Sequence, residues 1–352
     1  MRVAVAGVNG IGKHHAKWYH LADAEVVAFL GSSKSSCVMG AEALRAIFPF
    51  DGRSYSNFDA LLEHERPDVV DICMPNELHF AYVKKALEYG SHVLCEKPLT
   101  TKADEARELV EEANRQNVQL MVPYGWHYAE FIQEAKRKMD AGAVGDIEFV
   151  MCHMASPIRS LLEGKQFLSE GGGAGERMFD PAAKTWADPT VAGGGYALAQ
   201  MSHSAGLAYW LTDLKPERVS ALTSSPTSAV ELYDAFSVSF TSGAIGSFSG
   251  AGALPENQQF QLDVRIFGSE GVLTIDCDRA RLEILRHDGN NTNLNLEPTE
   301  GAYNGSGPTN NFADIVSGKN TTNWAPGWAG MRAVEMIDAA YRSMESGSTE
   351  SV

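Results

Sequence analysis

Basic side chains are scarce in this 352-residue chain: 29 Lys and Arg stand against 45 Asp and Glu, a formal charge of −16. That balance repels phosphate backbones and anionic lipid surfaces, so no nucleic acid and no membrane is expected as a partner. Long apolar runs are missing as well, and none approaches the ~18 residues of a spanning helix. Cysteine is sparse: Cys37, Cys73, Cys95, Cys152 and Cys277 are odd in number and lack the close pairing of a zinc knuckle or a redox dithiol. They read as buried thiols in a reducing compartment, and no metal site is expected. At the N-terminus only Arg2 precedes an apolar stretch that runs straight into Gly7, without the h-region of a signal peptide. The expected location is cytoplasmic, and the acceptor-type triplets at Asn290, Asn304 and Asn320 then carry no weight.

What remains is a chain long enough for two domains. Up to residue 123 short β-rich runs (Val3–Ala6, Val26–Leu30, Val69–Met74, His92–Cys95, Gln119–Val122) alternate with helical spacing at Leu78–Tyr89 and Lys102–Asn117, the latter with Glu105, Glu108, Glu111 and Glu112 on a solvated face. Nearly continuous apolar character fits parallel strands covered on both faces, hence an α/β doubly wound sheet of Rossmann type. From residue 124 to 352 one helix over Tyr128–Ala141 leads into successive strands, several alternating, as at Phe236, Val238 and Phe240. This spacing predicts an α+β domain with a large, mostly antiparallel sheet. Gly171–Gly173 and Gly193–Gly195 read as loops, Asn290–Asn311 as a long surface loop, and Gly330–Met344 as a closing helix.

The first strand ends in Gly7-Val-Asn9-Gly10-Ile11-Gly12, a strand, a glycine turn and a helix start. Gly7 permits the turn, Gly12 close packing, and the free N–H groups of the helix favour a pyrophosphate. Asn9 occupies the middle glycine of the usual fingerprint, with Gly10 as partial compensation. After the second strand comes Gly31-Ser32-Ser33-Lys34, where an NAD enzyme usually carries a carboxylate for the ribose hydroxyls. Hydroxyls and a cation there suit a 2′-phosphate, so NADP(H) is preferred and NAD(H) is the second choice. His14 and His15, at the start of the first helix, are expected beside cofactor phosphates or solvent.

Two blocks, Cys73-Met-Pro75-Asn76-Glu-Leu-His79 and Gly90-Ser-His-Val-Leu-Cys-Glu96-Lys97-Pro98, resemble the Gfo/Idh/MocA oxidoreductase family. The resemblance runs through Gly142-Ala-Val-Gly145, Gly193-Gly-Gly195, His203 and Ala339-Ala-Tyr-Arg-Ser343. It implies cofactor contacts at Pro75, Asn76, His79, Glu96 and Lys97, a cis peptide before Pro98, and Lys97 beside the nicotinamide and the substrate hydroxyl. It also implies a triple glycine followed by an Asp and, four residues on, a His. Here Ala199 stands where that aspartate is expected, on the helix face of His203, and Gln200 next to it can hydrogen-bond a sugar hydroxyl or the imidazole but not carry charge. Tyr124, Trp126, His127, Trp186 and Tyr196 are aromatics that can stack on a sugar ring.

The expected activity is NAD(P)-linked interconversion of a secondary alcohol and ketone on a sugar, sugar derivative or cyclitol, with Lys97 and His203 as catalytic groups. Two other readings stay open: a glycosidase or lyase that uses the redox step transiently, and a non-catalytic sugar or cofactor sensor. The resemblance further implies that the second domain serves substrate binding and oligomerisation, with a homo-oligomer, dimer or tetramer, formed through the open face of its sheet.

Overall fold

The computed structural model describes residues 1–165 and 183–352. Six strands, β1 (Arg2–Ala6), β2 (Glu25–Leu30), β3 (Arg53–Tyr55), β4 (Val69–Ile72), β5 (His92–Cys95) and β6 (Leu120–Met121), form one parallel sheet in the order β3-β2-β1-β4-β5-β6. The helices between them are α1 (Gly12–Leu21), α2 (Lys34–Arg45), α3 (Phe58–Glu65), α4 (His79–Glu88) and α5 (Ala103–Gln116). Strand β3 escapes a reading of apolar runs because Arg53, Ser54 and Tyr55 pair at the sheet edge with none of them buried. The chain winds outward from β1 to β3 and returns to β4 on the other side of β1. That reversal opens a crevice beyond the carboxyl ends of the strands.

A second sheet of nine strands follows, with β7 (Ile147–Ala155), β8 (Pro216–Ser224), β9 (Tyr233–Phe240), β10 (Ile245–Ala251), β11 (Gln261–Gly268), β12 (Gly271–Asp276), β13 (Arg281–Arg286), β14 (Thr292–Asn295) and β15 (Glu350–Ser351). Every neighbouring pair is antiparallel except β7 with β10. Burial alternates along β9, where Phe236, Val238 and Phe240 point inward and Ala235 and Ser237 outward. The inward face packs on α10 (Ser202–Thr212) and α12 (Gly327–Ser346), while the outward face leaves Leu222 and Ile245 in solvent. Helices α6 (Glu130–Asp140), α7 (Arg159–Leu162), α8 (Ala183–Ala187), α9 (Pro189–Ala192) and α11 (Ser306–Val316) complete the described α-helices.

Three expectations need correction. Asn290–Asn311 is not one loop: it carries β14, a short 3-10 turn at Pro298–Gly301 and the first turns of α11, which starts where Asn304 Oδ1 accepts the Gly307 N–H at 2.9 Å. Glu112 does not lie on a solvated face; it is 8% exposed and ion-paired with Arg115 one turn on. The chain also returns to the first domain late, because Phe312, Ala313, Ala325 and Val334 join the core of the parallel sheet. The Gly171–Gly173 loop lies outside the described residues. Among the described residues no helix is long and apolar enough to cross a membrane.

Candidate active site

The crevice begins at the β1 turn. Gly7 has φ +95°, and a Cβ on it would meet the Cys73 carbonyl; a Cβ on Gly12 would run into the carbonyl of Gly7. The chain therefore turns close against the Cys73 carbonyl just past β4, and α1 follows. No side chain caps α1 and no acidic residue stands in its first turn, so its leading N–H groups are left for an anion. Asn9 is exposed and Gly10 and Ile11 partly so at the same rim. Ser32, Ser33 and Lys34 are exposed at the start of α2, with Ser33 capping that helix in a reciprocal pair with Ser36.

The second strand end to reach the crevice is that of β5. Glu96 and Lys97 follow it directly, and the Lys97–Pro98 peptide is cis. Glu96 Oε2 accepts the Lys97 backbone N–H at 3.1 Å. Lys97 Nζ crosses to the second domain, donating to the Ala199 carbonyl at 2.9 Å, and lies 5.1 Å from the centre of the Trp186 ring. Burial lowers the Lys97 pKa and the Glu96 charge opposes that shift. Asn76 also bridges the domains, its amide donating to the Ala192 carbonyl at 2.8 Å, with Pro75 leading into that turn.

The facing wall rests on Glu231. This buried carboxylate accepts the Gly195 N–H at 2.8 Å, the Ala197 N–H at 3.2 Å and the Tyr341 hydroxyl at 2.6 Å. Burial raises its pKa, against the pull of those donors. The glycine run is required sterically: a Cβ on Gly194 would meet the Tyr341 hydroxyl, and one on Gly195 the Glu231 backbone. The next segment, Ala197–Met201, is a π-helical turn leading into α10. The wider turn alters the α-helical register on which the expected placement rests. What Ala199 offers Lys97 is its backbone carbonyl, in a place where the resemblance implies a carboxylate near His203.

His203 is 6% exposed and enclosed by rings, edge-to-face with Trp126 (5.5 Å, 88°) and Tyr303 (5.5 Å, 87°) and beside Tyr124 (5.7 Å). Its Nδ1 is buried with no hydrogen-bond partner, so Gln200, itself 7% exposed on the π-turn, does not hold that nitrogen. Burial, and then the charges of Lys97 and His127, push the His203 pKa well down. Both effects favour the neutral imidazole.

Several expected site residues sit elsewhere. His79 is wholly buried, with Nδ1 2.8 Å from the Pro98 carbonyl and Nε2 2.8 Å from the Met74 carbonyl. Both ring nitrogens face backbone carbonyls of the two turns, the protonated one donating to its carbonyl, so the ring is turned into the protein. His127 is also wholly buried, stacked on Trp210 at 4.5 Å with Nδ1 facing the Trp324 carbonyl, and burial lowers its pKa to about 3. It is a core histidine with no surface for a sugar. Tyr124 is 1% exposed and stands behind His203; Tyr196 is buried in the second core, its hydroxyl bonded to the Met154 carbonyl. His14 and His15 are buried, not beside solvent. Tyr303 was hidden in the segment read as a loop; its ring contacts Trp126 and His203 and its hydroxyl donates to the Pro123 carbonyl at 2.7 Å. A lone aromatic in a polar stretch was the only available signal.

Relatives place this geometry. A D-glucoside 3-dehydrogenase of Escherichia coli K12 is 32% identical over 149 residues, 42% of this chain and 41% of that protein. A D-xylose 1-dehydrogenase [NADP(+)] of Haloarcula marismortui is 23% identical over 306 residues, 84% of this chain and 78% of that one. The solved structure of an inositol dehydrogenase homolog complexed with NAD+ from Azotobacter vinelandii superposes with a TM-score of 0.77 at 20% identity, covering 100% of this chain and 97% of that one. The model of the oxidoreductase family with an NAD-binding Rossmann fold matches residues 1–124, and that of the Gfo/Idh/MocA C-terminal domain matches residues 132–274. With both halves matched and the crevice lying between them, the chain belongs to the Gfo/Idh/MocA oxidoreductase family.

Proposed function

We propose that this protein is an NAD(P)-dependent dehydrogenase interconverting a secondary alcohol and a ketone on a sugar, sugar derivative or cyclitol. The observation that carries the reading is the position of Lys97: at the end of a parallel strand, in the interdomain crevice, with its Nζ held by the Ala199 carbonyl and its pKa lowered by burial. The names of the two curated relatives supply the substrate class.

The residues at the first wall fit a dinucleotide. The positive-φ Gly7 and the uncapped start of α1 suit a pyrophosphate, with Asn9, Gly10, Ile11 and Gly12 around it. When bound, the nicotinamide supplies the hydride acceptor for the carbinol carbon. Lys97 takes the hydroxyl proton at Nζ, a task that its lowered pKa favours. His203, neutral and wedged among Trp126, Tyr124 and Tyr303, positions the same hydroxyl rather than carrying its charge. Trp186 offers a face for the sugar ring and Gln200 an amide for its hydroxyls, whereas Trp126, 6% exposed with its Nε1 donating to the Gly301 carbonyl, packs against His203 as part of its cage.

We infer further that NADP(H) is the better cofactor, since Ser32, Ser33 and Lys34 are exposed at the start of α2 with no carboxylate among them. One charge-assisted contact is worth ~1.5 to 3 kcal/mol, about tenfold or more in affinity. Copies associate through the outward face of the second sheet, which exposes Leu222, Ile245, Phe267 and Leu285; a monomer in sedimentation would refute that. The activity is tested by following nicotinamide absorbance over a panel of sugars and polyols, with both cofactors. Net cofactor reduction by a sugar, stronger with NADP+, is expected, and Ser32→Asp should move the preference toward NAD+. That position is chosen because a Cβ on Gly31 would lie 2.7 Å from Ser36 Oγ. Product formed with no net absorbance change would sink the dehydrogenase reading in favour of transient redox chemistry.

A further inference from the structure

Beneath the Lys97 turn lies a buried chain of ionisable groups that the proposed reaction does not use. His15, on α1, is 2% exposed, and its Nδ1 sits 3.0 and 3.2 Å from the two carboxylate oxygens of Asp71. Asp71 is wholly buried on β4, between the apolar Val70 and Ile72. A lone carboxylate there would be strongly disfavoured. The Cys73 thiol donates to the same carboxylate at 3.1 Å. On the other side of the ring, His15 Nε2 is 3.6 Å from Glu96 Oε1, while Glu96 Oε2 holds the Lys97 N–H. The groups thus follow one another as Asp71, His15, Glu96 and Lys97, from the middle of the sheet to the crevice.

We propose that His15 and Asp71 are positioning residues: Asp71 keeps His15 as an imidazolium, and the imidazolium holds the Glu96 carboxylate under the Lys97 turn, where its charge supports the Lys97 ammonium. The inference rests on the role proposed for Lys97. Its ground is charge balance in a dry place. With His15 protonated, the wholly buried Asp71 and the partly exposed Glu96 have a cation between them; with His15 neutral, Asp71 is left in the sheet with none. The Cys73 thiol, 3.5 Å from His15 Nδ1, brings no positive charge, and neither do the Cys95 thiol and the Tyr19 phenol that sense Asp71: burial first, and then Asp71 or Glu96, raises each of them, while burial raises the Tyr128 phenol beyond Tyr19. Burial opposes the imidazolium, but the charge and hydrogen bond of Asp71 and the charge of Glu96 outweigh it, so the His15 pKa is raised. For Lys97, the Glu96 charge opposes the downward pull of burial.

The sign follows. Neutralising Asp71 lets His15 lose its proton, the Glu96 carboxylate is then no longer held under the turn by a cation, and the Lys97 ammonium loses the anion that supports it. The limb of the pH–rate profile on which activity rises as Lys97 deprotonates should move to lower pH.

The test compares wild type, Asp71→Asn, Glu96→Gln and Lys97→Ala, with His15→Gln to assign the His15 signal in 15N-histidine spectra. Expected are a doubly protonated His15 at pH 7.5 in the wild type and a neutral one in Asp71→Asn. The Lys97 limb should shift to lower pH by on the order of one unit in both Asp71→Asn and Glu96→Gln, with NADPH affinity in Asp71→Asn kept within about threefold. Glu96 is partly exposed, so Glu96→Gln tests the same limb should Asp71→Asn fail to fold. A neutral His15 in the wild type, or an unmoved limb in these variants, would overturn the relay. A limb that survives in Lys97→Ala would refute the Lys97 assignment and the relay's target together, and is distinguishable because His15 would still read as charged. The donor atoms of His15, Asp71 and Cys73 lie within 4.8 Å of one another; a stoichiometric metal in the purified protein, lost in Cys73→Ser, would make them ligands and overturn the proposal too.

Discussion

On the first-domain side of the crevice the groups that meet a ligand are turns and strand ends, Gly7, Gly12 and the Glu96-Lys97-Pro98 exit from β5. On the facing side they are a π-turn and a cage of rings around His203. The first wall is set by backbone that only glycine allows, and so varies little in what it can do. The second is set by what packs behind it, chiefly Glu231 under the glycine run and Tyr303 against Trp126. In the proposed reaction one wall would serve the cofactor and the other the substrate, with Lys97 anchored on the first and bonded to the Ala199 carbonyl of the second.

The sharpest way to break that division is a matched pair of alanines. Gly12→Ala would force the new Cβ against the Gly7 carbonyl, and NADPH affinity should fall by about a hundredfold or more, ~2.7 kcal/mol, in a protein whose second domain still melts normally. Gly194→Ala would press on the Tyr341 hydroxyl instead. It should raise KM for the sugar by about tenfold while cofactor affinity stays within about threefold. If both changes weaken the cofactor alike, the walls do not divide the work.

A smaller effect is expected at His203. With its pKa pushed well down by burial, it stays neutral through the neutral range, so no histidine limb belongs in the rate profile between about pH 6 and 8. His203→Asn should cost about tenfold in kcat, ~1.4 kcal/mol, through positioning alone. A limb present in the wild type and absent from this variant would contradict a neutral role.

The smallest expected change lies behind the second wall. Both carboxylate oxygens of Asp234 are buried with no hydrogen-bond partner, and burial followed by the Glu231 charge raises its pKa well up. A carboxyl with a raised folded pKa stabilises the native state most below the ordinary carboxylate range, and that stability is lost as pH rises through the raised value. Asp234→Asn should flatten this slope and add about 1 kcal/mol at pH 7. Thermal melts between pH 4 and 8 that keep the same slope would place the titration elsewhere.

The same contrast explains what could be read in advance. Parallel strands buried on both faces announce themselves as apolar runs, and Gly7 and the Lys97–Pro98 exit follow from strand ends and from the family resemblance, so the first wall was legible. His79 was legible as a motif residue but not as a ring turned into the protein, since the carbonyls that face its nitrogens come from turns 5 and 19 residues away in sequence. The second wall was less so. A π-turn has no spacing signature, and reading Ala197–Met201 as α-helix placed the Ala199 side chain where the carbonyl does the bonding. Asp71 and His15 were invisible for a related reason: a carboxylate within a buried strand and a histidine 56 residues before it meet only once β4 lies beside β1.

Lys97 joins the two walls, and one measurement on it tests the account most directly. Single-turnover reduction of NADP+ by the best sugar, with NADPH binding measured in parallel, should show Lys97→Ala slowed by about a hundredfold or more in the chemical step and bound to cofactor within about threefold of wild type. Near-intact turnover in Lys97→Ala, or cofactor binding that falls in step with the rate, would contradict a lysine that moves the substrate proton.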